Sequence, residues 1–387
     1  MHMFSNLFKS PKKRIYLDHA AATPISEEVL SVMHEASQKL WANASSLHQE
    51  GEAAKQALDA ARIKVASLLH AKASEVYFTS GGTEALNIAI DAVVMNAKRT
   101  NPNPHMIVSM IEHPAALEKV KSLISYGVEI SFIAPNEDGI IRPETVEREI
   151  KSNTVLVVLM HANNEIGTIQ PVQKIAKLIN RRAMFLVDAS QSALYEDISI
   201  ERLGADMLVV DGIKMYGPRG VGALVVKDRV ELAPSVFGGG QEKGIRPGTE
   251  NVVGIVGLAK ALEIAHQKRV VEKERLLKLR DYCIGRIESE VIGSSLNGSR
   301  TERLANNVNV CFPGTDSEFL VIKLDTLGFA VSAASACNAI ALENSSYVIE
   351  AIGKKECAGS SLRFTLGRDT SQGDIDALVD ALKKIIK

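Results

Sequence analysis

Cysteine is scarce in this sequence: four in 387 residues, at Cys283, Cys311, Cys337 and Cys357. They form no CxxC pair, so the common zinc-chelating spacings are missing and no metal site is expected. Four cysteines spread over so long a chain build no disulfide framework, which points to a reducing compartment. An excess of either charge is missing too, with 45 Lys plus Arg against 46 Asp plus Glu. No global field therefore favours nucleic acid or an anionic membrane. Long apolar runs are absent. The longest, Val155 to Met160, falls far short of the ~20 residues a membrane-spanning helix needs. The tail Met1 to Arg14 is basic, but Phe4, Leu7 and Phe8 do not make the uninterrupted apolar core of a signal peptide. No internal repeat or low-complexity segment stands out. These absences leave a soluble cytoplasmic protein as the expectation.

What is present is globular. Hydrophobic residues make up 46% and charged residues 24%, and the length suits two or three domains. Seven short apolar runs recur: 75–79, 106–110, 129–134, 155–160, 184–187, 207–210 and 222–226. Most lack polar alternation, as strands buried on both faces do. Helix-period segments such as Glu84 to Ala97 and Ala115 to Ser125 separate them. The rhythm predicts an α/β fold with a mostly parallel seven-stranded sheet flanked by helices. After Val226 come a Gly-rich stretch (238–249) and a long helical pattern from about Val252 to Val291. Strands are then predicted at Asn307–Phe312 and Ser361–Leu366, with helices at Ser317–Asp325 and Asp374–Ile386. That second texture predicts a smaller α+β domain. The expected division is 25–269 for the large domain, and 1–24 with 270–387 for the small one.

Ligands of open α/β sheets bind beyond the carboxyl ends of the strands. Five of the predicted strands end in a polar cluster: Thr79 to Thr83, Glu112-His113, His161 to Glu165, Asp188 to Gln191, and Asp211 to Lys214. Loops are polar anyway, so one cluster means little, whereas five on one sheet edge make a site. Ser80-Gly-Gly-Thr83 before a helix is a candidate anion seat, although an ordinary helix cap reads the same way. Asp188, taken singly, reads as a cap residue, and Lys214 as a surface lysine. Alternatively, Asp188 pairs with a protonated pyridine nitrogen and Lys214 forms a Schiff base with an aldehyde cofactor. The succession of anion seat, His, Asn, Asp and Lys along the strands favours that second reading.

Longer motifs carry a resemblance from about Ile15 onward. They include Tyr16 to Pro24, Phe78 to Glu84, Glu112-His113, His161 to Gly167, Val187 to Ser192 and Lys214 to Pro218. Gly238 to Thr249, Ser335-Ala-Cys337 and Ser361 to Arg368 complete the set. In these the chain resembles the cysteine desulfurases, in the class V aminotransferase group of fold-type I pyridoxal-phosphate enzymes. The resemblance implies that Lys214 bonds the cofactor aldehyde and moves protons, while His113 stacks on the ring. It implies that Asp188 pairs with the ring nitrogen, Gln191 bonds the phenolic oxygen, and Gly82 and Thr83 seat the phosphate. It places Thr249 on the phosphate of a neighbouring subunit in a homodimer. Arg363, with Asn164, would clamp the substrate carboxylate, and Asn43 would line the same pocket. Cys337 would attack the sulfur of L-cysteine and leave alanine and a persulfide. Its distance of 26 residues from Arg363 resembles the long-catalytic-loop type, which passes sulfur to a scaffold protein for iron–sulfur or thiolation pathways. Cys283, Cys311 and Cys357 are expected to be small core residues.

The sequence departs from that pattern just before the lysine. Relatives commonly carry Ser or Thr and then His-Lys, whereas this chain reads Asp211-Gly-Ile-Lys214. Two phosphate donors are missing, and one is replaced by an acid within the expected cofactor site, so weaker cofactor retention is expected. Competing expectations are a selenocysteine lyase or other class V enzyme, or a weakened relative serving as sulfur carrier or assembly partner.

Overall fold

The computed structural model describes residues 14–333 and 345–386. The expected nucleophile Cys337 lies outside the described residues. In chain order come β1 (Ile15–Tyr16), α1 (Glu27–Lys39), α2 (Gln49–Leu68), β2 (Val76–Thr79), α3 (Gly82–Ala97), β3 (His105–Ser109) and α4 (Pro114–Ile124). There follow β4 (Glu129–Ile133), α5 (Pro143–Glu149), β5 (Thr154–Met160), α6 (Val172–Ile179), β6 (Met184–Asp188), α7 (Ile200–Leu203), β7 (Met207–Asp211) and β8 (Gly222–Val226). The last third holds α8 (Val252–Glu290), β9 (Ser295–Leu296), β10 (Asn307–Cys311), α9 (Ser317–Thr326), β11 (Phe329–Ala330) and β12 (Ser332–Ala333). It ends with α10 (Tyr347–Ala351), β13 (Ser361–Thr365) and α11 (Gln372–Ile385).

Strands β2 to β8 make one sheet in the order β2-β8-β7-β6-β5-β3-β4, and β8 alone runs against its neighbours. The expected seven-stranded, mostly parallel sheet is present. Its strands lack polar alternation because both faces are covered. Ile107, Val157, Phe185 and Leu208 pack with α2, α6 and the first half of α8. Their neighbours Met106, Val158, Leu186 and Met207 pack on the other face with α3 and α4. Successive residues point to opposite faces, so each face draws on every second residue. Parallel order then places the carboxyl ends of β3, β5, β6 and β7 on one edge.

A second, four-stranded sheet has the order β12-β13-β10-β9, all antiparallel. Leu276, Ile284 and Ile287 of α8 and Ile375, Leu378 and Leu382 of α11 belong to the core beside it. Residues 15–18 join the last third of the chain here: β1 pairs with β11, and Asp18 bridges to Thr365 at the end of β13.

One expectation is overturned. Cys311 and Cys357 are joined by a disulfide across 46 residues rather than lying as separate core thiols. Pairing of β10 with β13 sets Cys311 opposite Ser361, four residues beyond Cys357, and so brings the two sulfurs together. Cysteine count and spacing carry no trace of that register. Cys283 is a free thiol, fully buried in α8, and burial pushes it up to about 12.

Candidate active site

The anion seat begins with a backbone that only glycine adopts easily. Gly81, at φ +147°, turns the chain from β2 into α3. The start of β8 crosses it so closely that a Cβ on Gly222 would lie 2.8 Å from the Cα of Gly81. Gly82 is buried and Thr83 exposed, and both line the cleft with His113, Asn164, Asp188, Gln191, Asp211 and Lys214. The sheet edge therefore brings together eight residues expected at the site. A wider cleft of about 640 Å³, lined among others by Tyr16, His19, Arg219 and Asp369, holds none of them. Size alone does not locate the site.

Asp188 is the last residue of β6, and its Oδ1 accepts from Ser190 N at 2.9 Å and Ser190 Oγ at 2.6 Å. His113 caps α4, and its Nδ1 accepts from Ala115 N at 3.1 Å. That contact leaves the proton of the neutral ring on Nε2. Burial and then Lys214 hold the His113 pKa below the ordinary value, while Asp188 and Asp211 pull it up. Lys214 closes a 3₁₀ turn that Asp211 caps. Its Nζ donates to Ala20 O at 2.8 Å and Ala21 O at 2.7 Å. Gln191 Nε2 also donates to Ala20 O, at 3.0 Å. The backbone just after β1 therefore roofs the cleft and holds the amine.

Arg363 stands on β13, 3% exposed. It donates from Nη1 to Asn164 O at 2.9 Å and from Nη2 to Asp18 Oδ1 at 2.8 Å. Its Nε and the Asn164 Oδ1 are buried with no partner among the described residues. A buried guanidinium N–H and a buried amide oxygen on two residues in contact suit a zwitterionic ligand with one carboxylate. Two expected residues stay apart. Asn43 is exposed, with its Oδ1 on Ser45 N, and Thr249 is exposed; neither lines this cleft.

Several contributors escaped the sequence. Asp18 orients Arg363. Glu112 lies fully buried behind His113, with Oε1 accepting from Met160 N at 2.9 Å, and burial pushes its pKa up to about 8. Glu165 is likewise buried and pushed up to about 7, and it accepts from Ser346 Oγ at the cap of α10. Both glutamates stand in the quoted motifs, where nothing distinguishes a buried carboxyl from an exposed one. His161 sits beneath the cleft, bonded to Ser192 Oγ at 2.9 Å, and burial lowers its pKa to about 4.

The sequence matches the family described as Aminotransferase class-V over residues 15–378. It is 39% identical over 378 residues to the cysteine desulfurase IscS of Dictyoglomus turgidum, spanning 97% of this chain and 95% of the relative. The structure superposes on a protein titled NifS-like protein with a TM-score of 0.90 at 30% identity, covering 96% of this chain and 99% of the other. A structure titled SspA in complex with cysteine matches with a TM-score of 0.78 at 34% identity, covering 92% and 99%. Agreement over nearly the whole length, with the cleft residues converging on one sheet edge, places the chain in the class V aminotransferases, where it is a pyridoxal-phosphate-dependent cysteine desulfurase.

Proposed function

We propose that the chain converts L-cysteine to L-alanine at this cleft, moving the sulfur to Cys337 as a persulfide. The convergence of Lys214, His113, Asp188 and Gln191 at one sheet edge, with Arg363 of the small sheet bonded to Asn164 of the same cleft, carries the reading. The ring end of the cleft fits the family's cofactor. Lys214 offers the amine for its aldehyde, Asp188 a carboxylate for its ring nitrogen, Gln191 an amide for its phenolic oxygen, and His113 a flat ring to stack. When bound, pyridoxal phosphate supplies the electron sink that makes the substrate C–S bond cleavable. Gly82 and Thr83 face its phosphate end, where Asp211 also lies.

Each residue then has one task. The Nε and remaining Nη hydrogens of Arg363 bind the substrate carboxylate, with Asn164 beside them. Lys214 Nζ and His113 Nε2 carry protons to and from the substrate carbons. The Cys337 thiolate attacks the substrate sulfur: the C–S bond breaks, an S–S bond forms, and the carbon takes up a proton as alanine.

A homodimer completes the site in this reading. Asn43 and Thr249 lie away from their own cleft, and large apolar side chains are exposed in the same segments: Trp41 and Leu47 within four residues of Asn43, and Val236 and Phe237 just before the Gly-rich stretch that leads to Thr249. A partner copy seated there would bring Thr249 to the other cleft. The chain's sulfur goes to an acceptor, of which an iron–sulfur scaffold protein is our choice, in the cytoplasm and without nucleic acid or membrane. No described helix is long and apolar enough to cross a membrane. The deep burial of Cys311 and Cys357 shields their bond from cytoplasmic thiols. Residues 25–269 form the large domain, and 1–24 with 270–387 the small one. In support, α8 buries Val252 to Ala265, exposes Val270 and Val271, and is buried again from Leu276.

The test is production of alanine and sulfide from L-cysteine with a thiol reductant. Cys337→Ala abolishes sulfur release and leaves the cofactor spectrum intact. Alanine from selenocysteine with none from cysteine would instead assign a selenocysteine lyase. Bound cofactor with neither product would assign a sulfur carrier.

A further inference from the structure

The chain itself already engages three backbone N–H groups at the phosphate end of the cleft. Gly82 N donates to Asp211 Oδ2 at 2.9 Å. Gly81 N donates to Thr79 Oγ1 at 3.3 Å, and Ser80 N to the Glu84 carboxylate, which also pairs with Arg246. The second Asp211 oxygen accepts from Ile213 N at 3.2 Å. A Cβ added to Gly82 would lie 3.2 Å from Ser190 Oγ and 3.3 Å from Asp211 Oδ2, and with the bond from Gly82 N this sets the carboxylate in the cradle. Isoleucine at 213 adds no side-chain donor. The charged or titratable groups near Asp211 are Lys214 from its own turn, Asp188 from β6 and His113 from the cap of α4. Burial raises the Asp211 pKa, against the bonds from Gly82 N and Ile213 N and the charge of Lys214, which lower it.

A phosphate dianion entering this seat meets a carboxylate on the helix-start N–H it needs. Either the two anions share the cradle, or Asp211 leaves and its own place is lost. An uncharged hydroxymethyl group meets no such conflict, because its O–H donates to the carboxylate where it stands.

We propose that Asp211 is a specificity-determining residue for the cofactor's 5′ end, cancelling most of the seat's preference for phosphate so that the site also accepts the unphosphorylated aldehyde, pyridoxal. This rests on the reading of Lys214 as the residue that condenses with the aldehyde.

Full-length apoprotein titrated with pyridoxal phosphate, and separately with pyridoxal, tests it. The readouts are the visible absorbance of the lysine-bound aldehyde and the mass of the borohydride-trapped adduct. Asp211→Ser removes the carboxylate, while Asp211→Asn keeps its shape and its cap on Ile213. Both substitutions are expected to tighten pyridoxal phosphate by about tenfold or more and to leave pyridoxal within about threefold, the signature of one removed charge pair. Unchanged phosphate-aldehyde affinity in both folded variants, or equal tightening of both aldehydes, overturns the proposal. If neither aldehyde condenses with any of the three proteins, the Lys214 reading fails and this inference falls with it.

Discussion

The two walls of the cleft are built on different principles. On the large-sheet wall, each functional side chain sits at or just after the end of its own strand: Asp188 at the end of β6, Asp211 at the end of β7, Lys214 three residues further on. Strand order alone brings them together. On the small-sheet wall the contacts join residues far apart in the chain. Arg363 and Asp18 are separated by 345 positions, Ser346 and Glu165 by 181, Cys311 and Cys357 by 46. The first wall supplies the chemistry, and the second orients the substrate and anchors the chain around it. Substitutions on the first wall should therefore cost activity with little stability, and those on the second should shift binding or stability.

The largest effect expected is at Lys214. Lys214→Ala should lower the turnover of L-cysteine by roughly 10³-fold or more, from the loss of both aldehyde capture and proton transfer. Its amine donates to two backbone carbonyls, of Ala20 and Ala21, and its side chain is only half-buried, so thermal unfolding should move little. A large fall in melting temperature would break the contrast between the walls. Arg363→Ala comes next, with KM for cysteine rising by roughly 10–100-fold, the range for one charge-assisted clamp, and turnover falling less. Asp18→Asn sharpens the assignment. If Asp18 aims the guanidinium, KM should rise by about tenfold or less, and Arg363→Lys should not rescue it. A KM unchanged by Asp18→Asn would reduce that ion pair to a structural link.

The same contrast explains what was legible beforehand. All seven strands of the large sheet were readable from short apolar runs, with ends shifted by at most one residue. Those shifts matter at Asp188 and Asp211, which belong to the strands rather than to the loops after them. The resemblance named Arg363, yet its partner Asp18 follows a strand of two residues, too short to leave any periodic signal. Cys311 and Cys357 read as core residues because burial is a property of one position, while bonding depends on the register of two strands. Glu112 and Glu165 read as polar loop residues, since a sequence does not show that neighbouring elements will close over a carboxyl.

The disulfide separates the walls by stability. Closing 46 residues, it should contribute about 2–4 kcal/mol, chiefly by restricting the unfolded chain. Cys357→Ser should lower unfolding stability in urea by that amount without disturbing the cofactor spectrum. Excess reductant should destabilise the native protein slowly and the Cys311→Ser/Cys357→Ser pair not at all. A native protein insensitive to reductant even when unfolded and refolded in it would mean that the bond carries no stability.

The smallest effect on turnover goes with a pH slope of stability, and it arises on the chemical wall. Burial lifts Glu112 from the ordinary 4.5 to about 8, and its Oε2 has no partner among the described residues, as suits a carboxyl that keeps its proton. The folded state then holds a proton that the unfolded chain has released anywhere between pH 4.5 and about 8. The stability linked to that proton is fully present below pH 4.5, declines as pH rises, and is gone above about pH 8. Glu112→Gln keeps the amide-sized shape and the contact to Met160 N but cannot ionise. Its unfolding free energy should therefore fall less steeply from pH 5 to pH 8 than that of the native protein, by up to a few kcal/mol across the window. Glu165→Gln serves as the comparison. Glu165 is lifted only to about 7 and lies nearer Arg363, so its slope should flatten earlier on the pH scale. Parallel slopes for the native protein and Glu112→Gln would mean that this carboxyl is ionised in the folded state. The negative charge behind His113 would then be two carboxylates, Glu112 and Asp188, rather than one.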